Sequence, residues 1–130
     1  MLNPTGKSIR MDPKGSGRFN ASRGGPKRHD GVDFIAKPGQ AVLSPIDGSV
    51  SRRVVAYSNE NYYGVEIDGK RISIILLYLN PLKGIIGSYV QKGDIVGTAQ
   101  DISKRYGKGM LPHIHFRISR CDPILFMGMP

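Results

Sequence analysis

The stretch YYGVEIDGKRISIILLYL, Tyr62 to Leu79, decides the fold class. Two runs rich in β-branched and aromatic residues flank Asp68-Gly69, and a short Asp-Gly between such runs predicts a tight hairpin turn. The run Ile72 to Leu79 is almost wholly apolar, so it is expected to form a central strand covered on both faces. Outward from this hairpin the same pattern recurs. AVLSP, Ala41 to Pro45, reads as a short strand stopped by proline, with a turn at IDG; SVSRRVVAY, Ser49 to Tyr57, reads as a second strand. GSYVQKGDIVGTA (87–99) alternates turn residues with short β stretches, and Asp101 to Lys108 has room for one helical turn. HIHFRIS, His113 to Ser119, is expected to be the last core strand, followed by a tail, RCDPILFMGMP, that packs back on the sheet. Short strands separated by turn signals, with no internal repeat, predict an all-β fold: a compact antiparallel β-sandwich or barrel.

The totals agree. The chain has 130 residues, enough for one hydrophobic core but not two. Its 17 glycines and 9 prolines suit many turns and few long helices. No apolar run approaches the ~20 residues that span a bilayer, so no membrane span is expected. The N-terminal text MLNPTGKSIRMDPKGSG lacks the apolar centre of a secretory signal, which leaves the localisation unknown. Cys121 is the single cysteine, which excludes an intrachain disulfide and multi-thiolate zinc sites.

The net charge of +9 is uneven. Residues 1–28 carry seven Lys/Arg against one Asp, and the remainder twelve against nine acids. The expected organisation is therefore a basic, irregular arm over 1–28 and a β domain over 29–130. Such an arm suits any polyanion, whether nucleic acid, anionic lipid or bacterial wall, and equally a solubilising tail without a partner. Nucleic acid is the weakest of these, because no recognition motif or interleaved aromatic accompanies the charge.

All three histidines fall in two motifs, HDGVD (29–33) and HIH (113–115). Residues two apart in a strand share a face, so His113 and His115 stand side by side while Ile114 and Phe116 face the core. Alone, that pair reads equally well as hydrogen-bonded surface histidines or as half a metal site. His29, four residues ahead of Asp33, changes the balance. Catalytic zinc commonly takes three protein ligands from His and carboxylate and leaves a fourth position for water. His29, Asp33 and one strand histidine supply that set, with Gly31 letting the backbone bend between the first two.

In order, the chain reads HDGVD, AVLSPIDGSV, GSYVQKGDIVG and HIHF. This resembles the lysostaphin-type zinc endopeptidases, which cut peptide cross-bridges of bacterial peptidoglycan; the likeness runs over residues 29–119. It implies the duplicated-hybrid-motif β-sandwich of that family, with a groove over one sheet. It further implies Zn2+ as cofactor, His29, Asp33 and His115 as ligands, and His113 as the catalytic proton carrier. Peptidoglycan is then the expected partner, at the cell wall or periplasm. Without a signal sequence, the expected setting is a phage lysin with other virion proteins as partners, with an effector delivered by a secretion machine or a processed fragment as the alternatives.

One position departs from the pattern. The family carries a second catalytic histidine in a Tyr-x-His motif, where this chain has Tyr78-Leu79-Asn80. An asparagine amide can donate a hydrogen bond to an oxyanion but cannot carry charge or relay a proton. YLNPLKG and HIHFRISRCDP are also similar to segments of the leukocyte cell-derived chemotaxin branch, a non-enzymatic zinc-binding relative lacking that histidine. Two functions follow: a zinc endopeptidase using His113 and Asn80, or a zinc-stabilised, catalytically impaired binding or structural module on the same fold.

Overall fold

A computed structural model describes residues 1–12, 15–17, 31–58, 61–107 and 109–122. Two antiparallel sheets carry the fold. The larger has six strands in the order β3 (Val32–Ile35), β11 (His113–Cys121), β7 (Ile72–Leu77), β6 (Tyr63–Asp68), β5 (Gly48–Val55) and β9 (Tyr89–Val90). The smaller has three, in the order β4 (Ala41–Leu43), β10 (Ile95–Ala99), β8 (Leu79–Pro81). One helical turn, α1 (Ser103–Tyr106), forms where the sequence left room for it. The all-β expectation holds.

Period-two alternation builds the core. Val65 and Ile67 of β6, Ile74 and Leu76 of β7, and Ile114 of β11 are fully buried. They meet Val42, Leu79, Val96 and Ala99 of the smaller sheet in one cluster. β7 is covered on both faces as expected, since Ser73 and Ile75, of opposite parity to each other's neighbours, are also buried. The opposite face of the large sheet, where His113 and His115 lie, is the one that carries polar chemistry.

Two expectations need correction. The central strand does not run from Ile72 to Leu79: β7 ends at Leu77, and Leu79 begins β8 in the other sheet. Tyr78 makes the switch with φ of 77°, a left-handed conformation in which a non-glycine residue is strained by ~1–2 kcal/mol. Backbone bonds at 2.7 Å to the Tyr63 carbonyl and 2.8 Å from the Gln100 amide hold it there. The hairpin turn is also displaced. Asp68 still pairs with Ser73, and the Gly69 amide donates to the Ile72 carbonyl, so Lys70 and Arg71 form the loop. Gly69 serves packing instead: a Cβ there would lie 2.7 Å from the Ile72 oxygen and 3.0 Å from Ile46 Cδ1.

The described N-terminal residues lie against the domain. Pro4 and Arg10 are buried, Ile9 bridges Phe34, and the Ile35 amide donates to the Ser8 carbonyl at 2.8 Å. Segment 8–10 thereby covers the exposed edge of β3. A two-residue ribbon, β1 (Met11–Asp12) with β2 (Gly15–Ser16), follows it. The tail expected to pack on the sheet lies, from residue 123 onward, outside the described residues.

Candidate metal and proton-transfer site

Strand register alone brings the centre together. In the β3–β11 ladder Asp33 sits directly opposite His115, and His113 opposite Ile35. Cross-strand partners share a face, so the carboxylate and imidazole must meet. Asp33 Oδ1 and His115 Nδ1 are 2.8 Å apart, both residues being almost fully buried. His113 lies on the same face, its Nε2 3.5 Å from Asp33 Oδ2. Asp33, His113 and His115 thus converge. His29 lies outside the described residues.

His113 has a defined tautomer. Its Nδ1 is 2.8 Å from the Leu111 carbonyl oxygen, which can only accept, so Nδ1 carries the hydrogen. The neutral ring then presents Nε2 as a proton acceptor. Burial lowers the pKa of this histidine below the ordinary value, against the opposing pull of the Asp33 carboxylate and the Leu111 carbonyl. Desolvation penalises the cation more than one partly shared carboxylate stabilises it.

Arg10 is a group the sequence did not single out. It is 1% exposed, and its Nε donates to Asp33 Oδ2 at 3.2 Å while its Nη1 donates to Asp12 Oδ1 at 2.9 Å. Nothing in an irregular basic stretch distinguishes this arginine from its neighbours; the one local sign is that its segment also holds the arm's sole acid. Tyr78 is the second such residue. Its ring meets His113 edge-on at 5.4 Å and His115 at 6.4 Å, and its hydroxyl lies 3.1 Å from that of Tyr57. Burial, then the bond to Tyr57, raises the Tyr78 pKa far above the usual range, so it stays a neutral O–H. Tyr57, which also bonds the Tyr106 hydroxyl, is pushed up to about 12, chiefly by burial. Arg105 lies over the Tyr57 ring at 3.7 Å, completing an aromatic rim with Tyr62.

Asn80 lies elsewhere in register. It is exposed on β8, paired with Thr98 of β10. Among the described residues, no hydrogen bond or ring contact joins it to Asp33, His113 or His115.

The donors suit a metal ion. Two ligands each ~2.0–2.1 Å from a tetrahedral zinc are about 3.3 Å apart, close to the 2.8 Å between Asp33 Oδ1 and His115 Nδ1. The adjoining space is kept by Gly31, where a Cβ would stand 3.0 Å from His115 Cε1 and Nε2 and 2.1 Å from the Phe116 oxygen. No group of three His, Cys, Asp or Glu able to hold a metal occurs among the described residues. No helix among the described residues is long and apolar enough to cross a membrane.

Comparison with known proteins agrees with this geometry. The model of peptidase family M23 matches residues 27–124. An uncharacterized metalloprotease of Haemophilus influenzae is 26% identical over 106 residues, covering 78% of this chain; the chain spans only 22% of that relative. A zinc containing peptidase from Vibrio cholerae is 27% identical, with a TM-score of 0.59 over 88% of this chain and 35% of its own. The catalytic domain of lysostaphin from Staphylococcus simulans, 22% identical, superposes with a TM-score of 0.57 over 92% of both chains.

Proposed function

Because the chain belongs to peptidase family M23, we propose that it is a zinc-dependent endopeptidase that hydrolyses the peptide cross-bridges of bacterial peptidoglycan. The observation that carries this reading is the β3–β11 register, which sets Asp33 against His115 with the Nε2 of a neutral His113 beside them. Asp33 and His115 hold the zinc, with His29 as third ligand. When bound, the zinc polarises a scissile carbonyl and lowers the pKa of water toward ~7.

The chain's own residues do the rest. Asp33 accepts from Arg10 at Oδ2, which leaves Oδ1 as the oxygen that would face a metal. For a metal to take its Nδ1, His115 would have to carry its ring hydrogen on Nε2 instead, a change of tautomer without a change in charge. His113, neutral and oriented by Leu111, accepts the proton of the attacking water at Nε2 and returns it to the leaving amine. Tyr78, held as a neutral O–H, packs edge-on against the His113 ring. The cell wall or periplasm is the setting, reached in a phage context with virion proteins as further partners. The basic arm's charge supports contact with an anionic wall.

The test is cleavage of purified peptidoglycan, read as new amino termini. Wild type should cleave, His113→Ala should not, and His115→Ala or Asp33→Ala should lose about one zinc per chain. A metal-free wild type of unchanged fold removes the proposal. Asn80 supports a second reading, a zinc-holding binding module, because the histidine expected there is absent and Asn80 faces solvent. Activity absent in wild type but created by Asn80→His selects that reading.

A further inference from the structure

The charges buried beside the site reach it from a part of the chain that the family model does not match. Residues 1–12 lie before the matched segment 27–124, yet Arg10, Asp12 and Asp33 have side chains only 2%, 3% and 3% exposed. A buried guanidinium is tolerated only where carboxylates and hydrogen bonds replace its water. Here two carboxylates do so. Asp12 also uses its other oxygen: Oδ2 accepts from the Leu111 amide at 2.7 Å. Leu111 is the residue whose carbonyl fixes the His113 ring.

These bonds form one connected path. His115 Nδ1 meets Asp33 Oδ1, Asp33 Oδ2 accepts from Arg10, and Arg10 donates to Asp12. Asp12 holds the Leu111 amide, and the Leu111 carbonyl accepts from His113 Nδ1. The proposed metal ligand and the proposed proton carrier are thus tied to each other through the N-terminal segment. The backbone reinforces the tie. The Arg10 amide donates to the Asp33 carbonyl at 2.8 Å, and Gly17 bridges them, accepting from the Asp33 amide and donating to the Arg10 carbonyl, each at 2.7 Å. Gly17 has to lack a side chain, because a Cβ would sit 2.6 Å from Asp33 Cβ and 2.9 Å from Arg10 Cβ.

We infer that Arg10 and Asp12 are positioning residues of the catalytic centre: Arg10 orients the Asp33 carboxylate toward the metal, and Asp12, through Leu111, sets the His113 tautomer. The inference rests on the zinc-peptidase reading above for its kinetic half, but not for its structural half. Outer partners of this kind typically tune metal affinity ~10–100-fold. Arginine's planar fork spans two carboxylates at once, which an ammonium cannot reproduce.

The experiment uses the full chain and three variants, Arg10→Met, Arg10→Lys and Asp12→Ala. Zinc affinity is measured by competition with a chromophoric chelator, and kcat and KM on soluble muropeptides. The His113 tautomer is read from 15N shifts of the metal-free protein at a pH where the ring is neutral. Arg10→Met and Arg10→Lys should weaken zinc ~10–100-fold, and Asp12→Ala should lower kcat while leaving KM and zinc affinity near wild type. In the wild type Nδ1 should carry the hydrogen, and Asp12→Ala should shift the ring toward the Nε2–H form. A purely structural ion pair would lower stability in all three and move neither tautomer nor affinity, which overturns the inference. If Arg10→Met does not fold, Arg10→Lys decides, and unchanged zinc affinity there overturns it equally. A wild type that binds no zinc defeats the peptidase reading alone; the tautomer comparison then still accepts or rejects the role of Asp12.

Discussion

Replacing Gly31 by alanine tests how closely the proposed metal centre depends on the approach of two strands. The new Cβ would stand 2.1 Å from the Phe116 carbonyl oxygen, whereas contacts under 3.0 Å are essentially never made, so the two must part by about 0.9 Å. Neither side yields easily. Phe116 pairs with Val32 on one side and Leu76 on the other, so its carbonyl is fixed within the sheet. Residue 31 leads directly into β3 and is therefore the part that moves, carrying Asp33 away from His115. Forcing an extra methyl into such a site costs ~1–3 kcal/mol. For the metal the cost is larger in proportion, because a displaced ligand cannot do better than a displaced outer partner, and that already costs ~10–100-fold in affinity.

The assay is paired: urea denaturation of the metal-free protein, and zinc affinity by chelator competition. Gly48→Ala is the control. Its Cβ would meet the Asp68 oxygen at 2.5 Å, but β5 lies three strands from β11. Both variants should lose stability of the same order, and only Gly31→Ala should lose zinc at least ~10-fold. Wild-type zinc affinity in Gly31→Ala, or an equal loss in Gly48→Ala, would refute the reasoning that strand approach places the ligands.

Other outcomes follow from the same structure. Leu76 is fully buried between the sheets, so Leu76→Ala should cost ~2–5 kcal/mol in denaturant unfolding, and a loss under ~1 would contradict the core assignment. Tyr78→Phe keeps the ring against His113 but removes the hydroxyl bond to Tyr57, which should cost ~0.5–1.5 kcal/mol and leave zinc affinity unchanged. Glu66 is held below the ordinary carboxylate value by Ser119 first and then by Arg52. Its contribution is therefore present above its unfolded pKa and lost as pH falls through the lower folded value. Glu66→Gln should accordingly flatten the acid limb of the stability–pH curve, and superimposable acid limbs would exclude the effect.

The fold was legible where side-chain period decides it and obscure where backbone conformation does. Alternation marked the strand around Ile114, which buries one face, and an unbroken apolar run marked the strand around Ile74, which buries both. Tyr78 stayed hidden because an apolar run continues through it, and no periodicity reports a left-handed φ. The hairpin loop fell at Lys70-Arg71 because Gly69 is taken up by close contact with Ile72 and Ile46, a tertiary demand absent from any dipeptide rule. Of the site, Asp33, His113 and His115 were visible as types at a spacing. Arg10 was not, since arginines are almost never fully buried unless paired, and its partners lie 2 and 23 residues away.

That difference in visibility corresponds to a division of labour. The Asp33–His115 contact follows from the β3–β11 register, supported by burial of Ile114, with Arg10 holding the other carboxylate oxygen. Proton transfer demands more: a ring with the correct nitrogen free, which depends on one carbonyl at Leu111 and, through its amide, on Asp12. Asn80 cannot take over that task, being exposed on another sheet and without a titrating group. On the proposed peptidase reading, one such histidine instead of two would put the burden of proton transfer on the orientation of His113. Changes at Asp12 should then silence the reaction while the metal stays in place, and changes at Asp33 should remove both together.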